Sequence, residues 1–219
     1  MIKAVIFDMD GLILDTEILL QRFWIEAADI FGYEMTKEIE LGLRSYSSAY
    51  SKKYLQRTLG KDFPYAEVRV KRIELMNDYI RKNGIKKKKG LDALLDYIKT
   101  TDLKSAVCTA TDFQRTKMYL ESVGVFNKFD AFICGNMVKR GKPAPDIYEY
   151  ACKELGLEPS ECIALEDSPN GVISATIAGL NPIMIPDLTE PSEDIKPFLF
   201  AKCESLDKVI EILAKALVE

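Results

Sequence analysis

Not one histidine occurs among the 219 residues. A Ser-His-Asp or Cys-His arrangement, a His-ligated zinc and a phosphohistidine intermediate are all excluded, so any catalysis must come from carboxylates, amines, hydroxyls, thiols or a borrowed cofactor. Cysteine is sparse too: five residues, at 108, 134, 152, 162 and 203, an odd number with no C-x-x-C pair. That spacing argues against a disulfide framework or a zinc knuckle and suits a reducing, cytoplasmic compartment. Positive charge is not in excess. With 30 Lys and Arg against 34 Asp and Glu, a formal net charge of −4, a nucleic-acid backbone is not the expected partner. No apolar run approaches the ~20 residues that span a bilayer, and Met1 to Asp8 reaches an acid too soon for a signal peptide. The expectation is a soluble chain without a membrane partner.

What is present is an alternation. Short apolar, β-rich runs stand at Ala4 to Phe7, Ser105 to Cys108, Ala131 to Cys134, Cys162 to Leu165 and Pro182 to Ile185. Between them lie amphipathic stretches at Asp112 to Val123, Pro145 to Leu155, Pro169 to Ala178 and Leu206 to Leu217. Strand and helix in alternation predict an α/β fold with a doubly wound parallel sheet, a Rossmann-like core. One region breaks the pattern. From about Thr16 to Asn83 only helical periodicity is found, as at Leu19, Phe23, Ala27 and Ile30. An inserted α-helical cap domain over residues 15–89 is predicted, with the core made of 1–14 and 90–219. Lys86 to Lys89 follows the helix-stop pair Asn83-Gly84 and reads as a solvated linker. Phe23, Trp24 and Phe31 on the first helix of the insert read as core, and Tyr46 and Lys52 carry no assigned role.

Chemistry concentrates at the strand ends. Asp8-Met9-Asp10-Gly11-Leu12-Ile13-Leu14-Asp15-Thr16-Glu17 follows the first strand directly. Ligands of open α/β sheets bind at the carboxyl ends of strands, and residues i and i+2 on extended backbone face the same way. Asp8 and Asp10 are therefore placed to share one site, although an Asp-Gly turn alone would also explain the pair. Thr109-Ala110-Thr111-Asp112 sets a hydroxyl at the next strand tip, and Thr111 or Asp112 can cap the following helix. Gly141-Lys142-Pro143-Ala144-Pro145 stiffens a loop around a lysine suited to a phosphate. Glu166-Asp167-Ser168-Pro169 leaves two adjacent carboxylates at a strand tip before an N-cap and N1 pair. With Asp8 they make an all-oxygen set appropriate to Mg²⁺.

These four motifs, D-M-D-G-L-I-L-D-T-E, V-C-T-A-T, G-K-P-A-P-D-I-Y and L-E-D-S-P-N-G, resemble in order those of the haloacid dehalogenase superfamily of phosphotransferases. The insert resembles the small cap of its β-phosphoglucomutase-like branch. The resemblance implies that Asp8 is a nucleophile forming an aspartyl-phosphate and that Asp10 is the general acid and then the base. It implies that Thr109 and Lys142 bind the phosphoryl oxygens. Mg²⁺ would be held by Asp8, the carbonyl of Asp10 and Asp167, with Glu166 either a ligand or one step removed. Dehalogenases in this superfamily lack an acid two residues after the nucleophile, so Asp10 points to phosphoesters. The ligand that the resemblance implies is a small phosphorylated metabolite, a sugar phosphate first among the candidates, and monomer and homodimer are both open.

Three readings of the outcome are carried. Hydrolysis is preferred, because β-phosphoglucomutases carry a cap histidine where Leu20 stands here. They also carry an arginine three residues after a cap glycine, whereas Arg44 comes two after Gly42. Arg44 is either a contact to a distal phosphate or sugar, or an exposed helix residue. A sugar phosphomutase is the alternative, and a catalytically silent phosphate- or metal-binding module is the third. A receiver domain fits poorly, since it has no large insert after its first strand.

Overall fold

The computed structural model describes residues 1–44 and 46–217. Six parallel strands form its centre: β1 (Ala4–Phe7), β2 (Lys104–Thr109), β3 (Ala131–Cys134), β4 (Cys162–Glu166), β5 (Asn181–Met184) and β6 (Ala201–Lys202). They lie in the order β3-β2-β1-β4-β5-β6, so the chain winds outward in opposite directions from β1 and leaves a switch point between β1 and β4. Phe7 is in register with Val107 on one side and Leu165 on the other, which brings the carboxyl ends of β1, β2 and β4 level.

Period-two alternation along the strands explains the layers. Val5, Phe7, Val107, Ile163, Leu165 and Ile183 face one side and pack on α5 (Leu91–Lys99), α6 (Phe113–Ser122) and α9 (Val209–Ala216). Ala4, Ala106, Cys108 and Ala164 are mostly smaller and face the other, where α7 (Asp146–Leu155) and α8 (Pro169–Ile177) close in with Ile147, Tyr148, Ala151 and Ala175. β1 and β4 are buried along their whole length, as strands covered on both faces must be. All five cysteines are buried and unpaired.

Between β1 and α5 stand α1 (Glu17–Ile30), α2 (Lys37–Leu41), α3 (Ser48–Thr58) and α4 (Tyr65–Asn83). They have a core of their own, in which Trp24, Ala27, Leu55, Phe63 and Val68 are buried. Phe23, Met76 and Ile80 belong instead to the cluster that reaches the sheet. The two segments joining these helices to the sheet run side by side. Leu14 bridges Lys87, the Asp15 amide donates to the Lys86 carbonyl at 2.9 Å, and the Lys88 amide donates to the Ile13 carbonyl at 2.9 Å.

Three expectations need correction. The lysine run is not only a solvated linker, because Lys88 bonds Asp187 at 2.6 Å and lies 3.5 Å from Asp15. Phe31 follows the end of α1 and is exposed, since the helix stops one residue earlier. The last amphipathic stretch opens as a short 3-10 turn at Leu206–Lys208 before α9 begins. β6, only two residues long, offers no pattern a sequence reading could catch. Among the described residues no helix is long and apolar enough to cross a membrane.

Candidate active site

Every motif named from the sequence except the cap arginine comes from a strand end or the loop after it. Asp8 follows β1, Thr109 closes β2, Glu166 closes β4 and Asp167 follows it, and Lys142 precedes α7. All five are buried. Gly11 turns the chain after β1 with φ of +84°, and a Cβ there would collide with Asp167 Oδ2. The glycine thus serves both the turn and the close approach of the β4 carboxylate. Gly171, within α8, allows the same close approach to Glu166, whose carboxylate occupies the place an added Cβ would take.

Lys142 is the hub. Its Nζ donates to Asp8 Oδ1 at 2.5 Å and to the Cys108 carbonyl at 3.1 Å, and it lies 2.6 Å from Glu166 Oε1. Burial alone would discharge the ammonium, but Asp8 and Glu166 outweigh it and hold the lysine charged. Asp8, Glu166 and Asp167 each present an oxygen within 4.8 Å of the others. Two of these carboxylates, Asp8 and Glu166, share the lysine, and Asp167 pairs with Arg44 instead. Burial, opposed by Lys142 and reinforced by Glu166 and Asp167, pushes Asp8 well above the ordinary range. Burial also lifts Asp167 to about 7, against the pull of Arg44. Glu166 Oε2 and Asp167 Oδ1 are buried without a hydrogen-bond partner. Uncompensated oxygens in an all-carboxylate cluster fit a hard divalent cation.

Asp10 is half-buried and lines the same cavity as Asp8 and Thr109. Two hydroxyls fix its carboxylate: Thr16 Oγ1 donates to Oδ1 at 2.8 Å and Thr111 Oγ1 to Oδ2 at 2.9 Å. Of the two capping candidates, Asp112 caps α6 by accepting from the Arg115 amide, which leaves the Thr111 hydroxyl to Asp10. Ser168 and Pro169 take the N-cap and N1 places of α8.

Arg44 is not an exposed helix residue. It is buried in a turn after α2, donates from Nε to Glu17 Oε2 at 3.2 Å and from Nη1 to Thr189 Oγ1 at 2.8 Å, and pairs through Nη2 with Asp167. It thereby ties the helical segment to the sheet end. Leu20, Trp24, Glu40, Arg69 and Arg72 complete the helical side of the cavity. Sequence reasoning missed Glu17, Glu40, Thr16 and Tyr148, whose hydroxyl donates to Glu166 Oε1.

Glu40 carries a pH dependence. Burial raises it from 4.5 to about 7, against the Gln21 hydrogen bond and the charges of Arg44 and Arg72. Between those pH values the folded state keeps a proton that the unfolded chain has lost, so stability falls as pH rises through this window and is level above it. At about 1.4 kcal/mol per pH unit the loss is about 3 kcal/mol. Glu40→Gln should remove this share, and urea unfolding at pH 5 and pH 8 reads it as a flatter pH profile. A variant whose profile matches the wild type would refute it.

A model of the haloacid dehalogenase-like hydrolases matches residues 2–179. The chain is 29% identical over 212 residues to the phosphorylated carbohydrates phosphatase of Thermotoga maritima, covering 96% of each chain. It is 27% identical over 183 residues to the fructose-1-phosphate phosphatase YqaB of Escherichia coli, covering 82% of this chain and 94% of that protein. The crystal structure of CbbY from Rhodobacter sphaeroides in complex with phosphate superposes with a TM-score of 0.79 at 27% identity, covering 95% of this chain and 96% of CbbY. The chain belongs to the haloacid dehalogenase-like hydrolase family, and its enzyme class is that of the phosphatases.

Proposed function

We propose that the protein is a magnesium-dependent phosphomonoester hydrolase that acts in the cytoplasm on a small phosphorylated metabolite, a sugar phosphate, through an aspartyl-phosphate on Asp8. The observation that carries the reading is the pairing of a lysine-bound carboxylate, Asp8, with a second carboxylate, Asp10, in one cavity. The relatives named for phosphorylated carbohydrates and fructose 1-phosphate support the substrate class.

In this reading an Asp8 carboxylate oxygen attacks phosphorus and the ester P–O bond breaks. Its electron pair stays on the leaving oxygen, which takes a proton from Asp10. Asp10, held by Thr16 and Thr111, then removes a proton from water, whose oxygen attacks the same phosphorus; phosphate leaves and Asp8 is regenerated. Lys142 and Thr109 hold the phosphoryl oxygens. Asp8, Asp167 and the Asp10 carbonyl would hold Mg²⁺, with Glu166 beside them. The ion, when bound, supplies charge neutralisation between a carboxylate and a phosphate that would otherwise repel. Residues 15–89 act as the cap domain over the core of 1–14 and 90–219, and exclude bulk water from the reaction.

Hydrolysis is favoured over phosphoryl return to an intermediate because Leu20 lines the cavity at the place of the mutase histidine, and the chain has none elsewhere. A screen of phosphorylated metabolites should show phosphate release that depends on Mg²⁺ and stops with chelator. Conversion of β-glucose 1-phosphate to glucose 6-phosphate without phosphate release would overturn the reading.

A further inference from the structure

The chain has no C-x-x-C pair, yet the fold brings together two cysteines from positions 152 and 162. Cys152 lies on the buried stripe of α7, one turn after Tyr148, and Cys162 opens β4. Their sulfurs stand 3.8 Å apart, in contact but not bonded. A disulfide needs about 2.0 Å, so the two elements have to approach by only about 1.8 Å. Cys108 and Cys134 are engaged elsewhere: their thiols donate to the Ile147 carbonyl at 3.6 Å and to the Thr116 hydroxyl at 3.7 Å.

The pair is buried, but it sits beneath the short surface turn Pro159–Glu161, which joins α7 to β4 and is flanked by exposed Glu158. The Cys162 thiol donates to the Glu158 carbonyl at 3.6 Å. Local opening of such a turn admits a small, uncharged oxidant. The two sulfurs are also unequal. Hydrogen bonding from Cys162 outweighs burial and holds Cys152 below the ordinary thiol range, whereas the same contact and burial push Cys162 up. Cys152 is thus the attacking sulfur and Cys162 the resolving one.

The same helix and strand meet a second time at the catalytic end, where the Tyr148 hydroxyl donates to Glu166 Oε1. Tyr148 also sets its ring 5.3 Å from the Lys142 ammonium, which lies 2.6 Å from Glu166. A displacement of α7 against β4 therefore reaches the Lys142–Glu166 pair.

We propose that Cys152 and Cys162 form a peroxide-sensitive thiol pair whose disulfide draws α7 towards the start of β4 and reversibly slows the enzyme. The effect on turnover rests on the phosphatase reading; the bond itself does not. The Cys152 thiolate attacks one oxygen of hydrogen peroxide, the O–O bond breaks, and hydroxide leaves as the sulfur becomes a sulfenic acid. The Cys162 sulfur then attacks the Cys152 sulfur, and the S–O bond breaks. The departing hydroxide takes the Cys162 proton. Two thiols and one peroxide give one disulfide and two waters, and a dithiol reverses the reaction by exchange.

The full chain is treated with hydrogen peroxide, alkylated in urea with iodoacetamide and mapped by peptide mass spectrometry. The peptides of Cys152 and Cys162 should be joined, two hydrogens lighter than the separate thiols, and should part with dithiothreitol. The urea midpoint of the oxidised chain should rise, since the bond restrains the unfolded state. Its kcat/KM in Mg²⁺ should fall about threefold or more and return with dithiothreitol, and Cys152→Ser and Cys162→Ser should each lose that response. The mapping needs no variant, so it decides the bond even if a serine variant does not fold. Both thiols alkylated after peroxide, sulfinic acid in place of the disulfide, or a mapped disulfide with unchanged kcat/KM would overturn the proposal. So would a loss of activity that persists in both serine variants. If wild type releases phosphate from no substrate while the bond forms and raises the urea midpoint, the hydrolase reading fails and the thiol pair stands.

Discussion

Asp8→Asn should lower phosphate release by about 10⁴-fold or more while leaving the fold intact. The amide is isosteric, so the packing of Phe7 and Met9 around it is undisturbed. The amide oxygen of the variant can still accept from Lys142, whose bond to Asp8 is 2.5 Å long. What is lost is the anionic oxygen that, in the proposed mechanism, attacks phosphorus. Removing one of three crowded carboxylates also relieves repulsion, since Glu166 and Asp167 both push Asp8 upward. The variant should therefore be at least as resistant to urea as the wild type when Mg²⁺ is absent, and should gain less from added Mg²⁺. Unchanged turnover would remove Asp8 from the chemistry.

Lys142→Met is expected to fail on two counts. The side chain is 1% exposed and stands between Asp8 and Glu166, with its ammonium 5.3 Å from the Tyr148 ring centroid. Methionine fills a similar volume but leaves two buried carboxylates without their shared cation, a loss of about 3–5 kcal/mol. The loss should be largest near pH 8 and shrink towards pH 5. Deprived of the lysine, the carboxylates take up protons in the folded state more readily than in the unfolded chain, and acid restores them to neutrality. Activity should fall about 10³-fold even where the variant is folded, because the donor proposed for the transferring group is gone. Urea unfolding at the two pH values measures the first effect, and kcat/KM in Mg²⁺ the second. A variant within about tenfold of wild-type activity would contradict the placing of Lys142 on the phosphoryl group.

The fold was legible wherever local pattern and tertiary role coincide. β1 and β4 are short apolar runs because both faces are covered, and their ends are marked by the acids that break the runs. The same rule brought Asp8, Thr109, Glu166 and Asp167 forward, since each sits where a parallel strand must deliver a ligand contact, while Lys142 stood out by its proline-flanked loop before α7. What could not be read depends on pairs far apart in the chain. Arg44 meets Glu17 across 27 residues and Asp167 across 123, so its spacing from Gly42 gave no sign of either partner. Thr111 looked like a helix cap because Asp112 beside it is an equally good one, and only the approach of Asp10 decides between them. Tyr148 was hidden in the apolar face of α7, where its ring packs and its hydroxyl reaches Glu166. Arg72 did leave a signal, a charge in an apolar stripe, which a reading for hydrophobic positions alone passes over.

The central claim is that phosphate leaves its ester by way of Asp8. Acid quenching during turnover of a hydrolysed substrate, followed by peptide mass spectrometry, tests it most directly. The account predicts one phosphoryl group on the peptide that contains Asp8, lost on brief alkaline treatment and absent from Asp8→Asn. Steady phosphate release with no phosphoryl group on that peptide, and with Asp8→Asn still active, would contradict it.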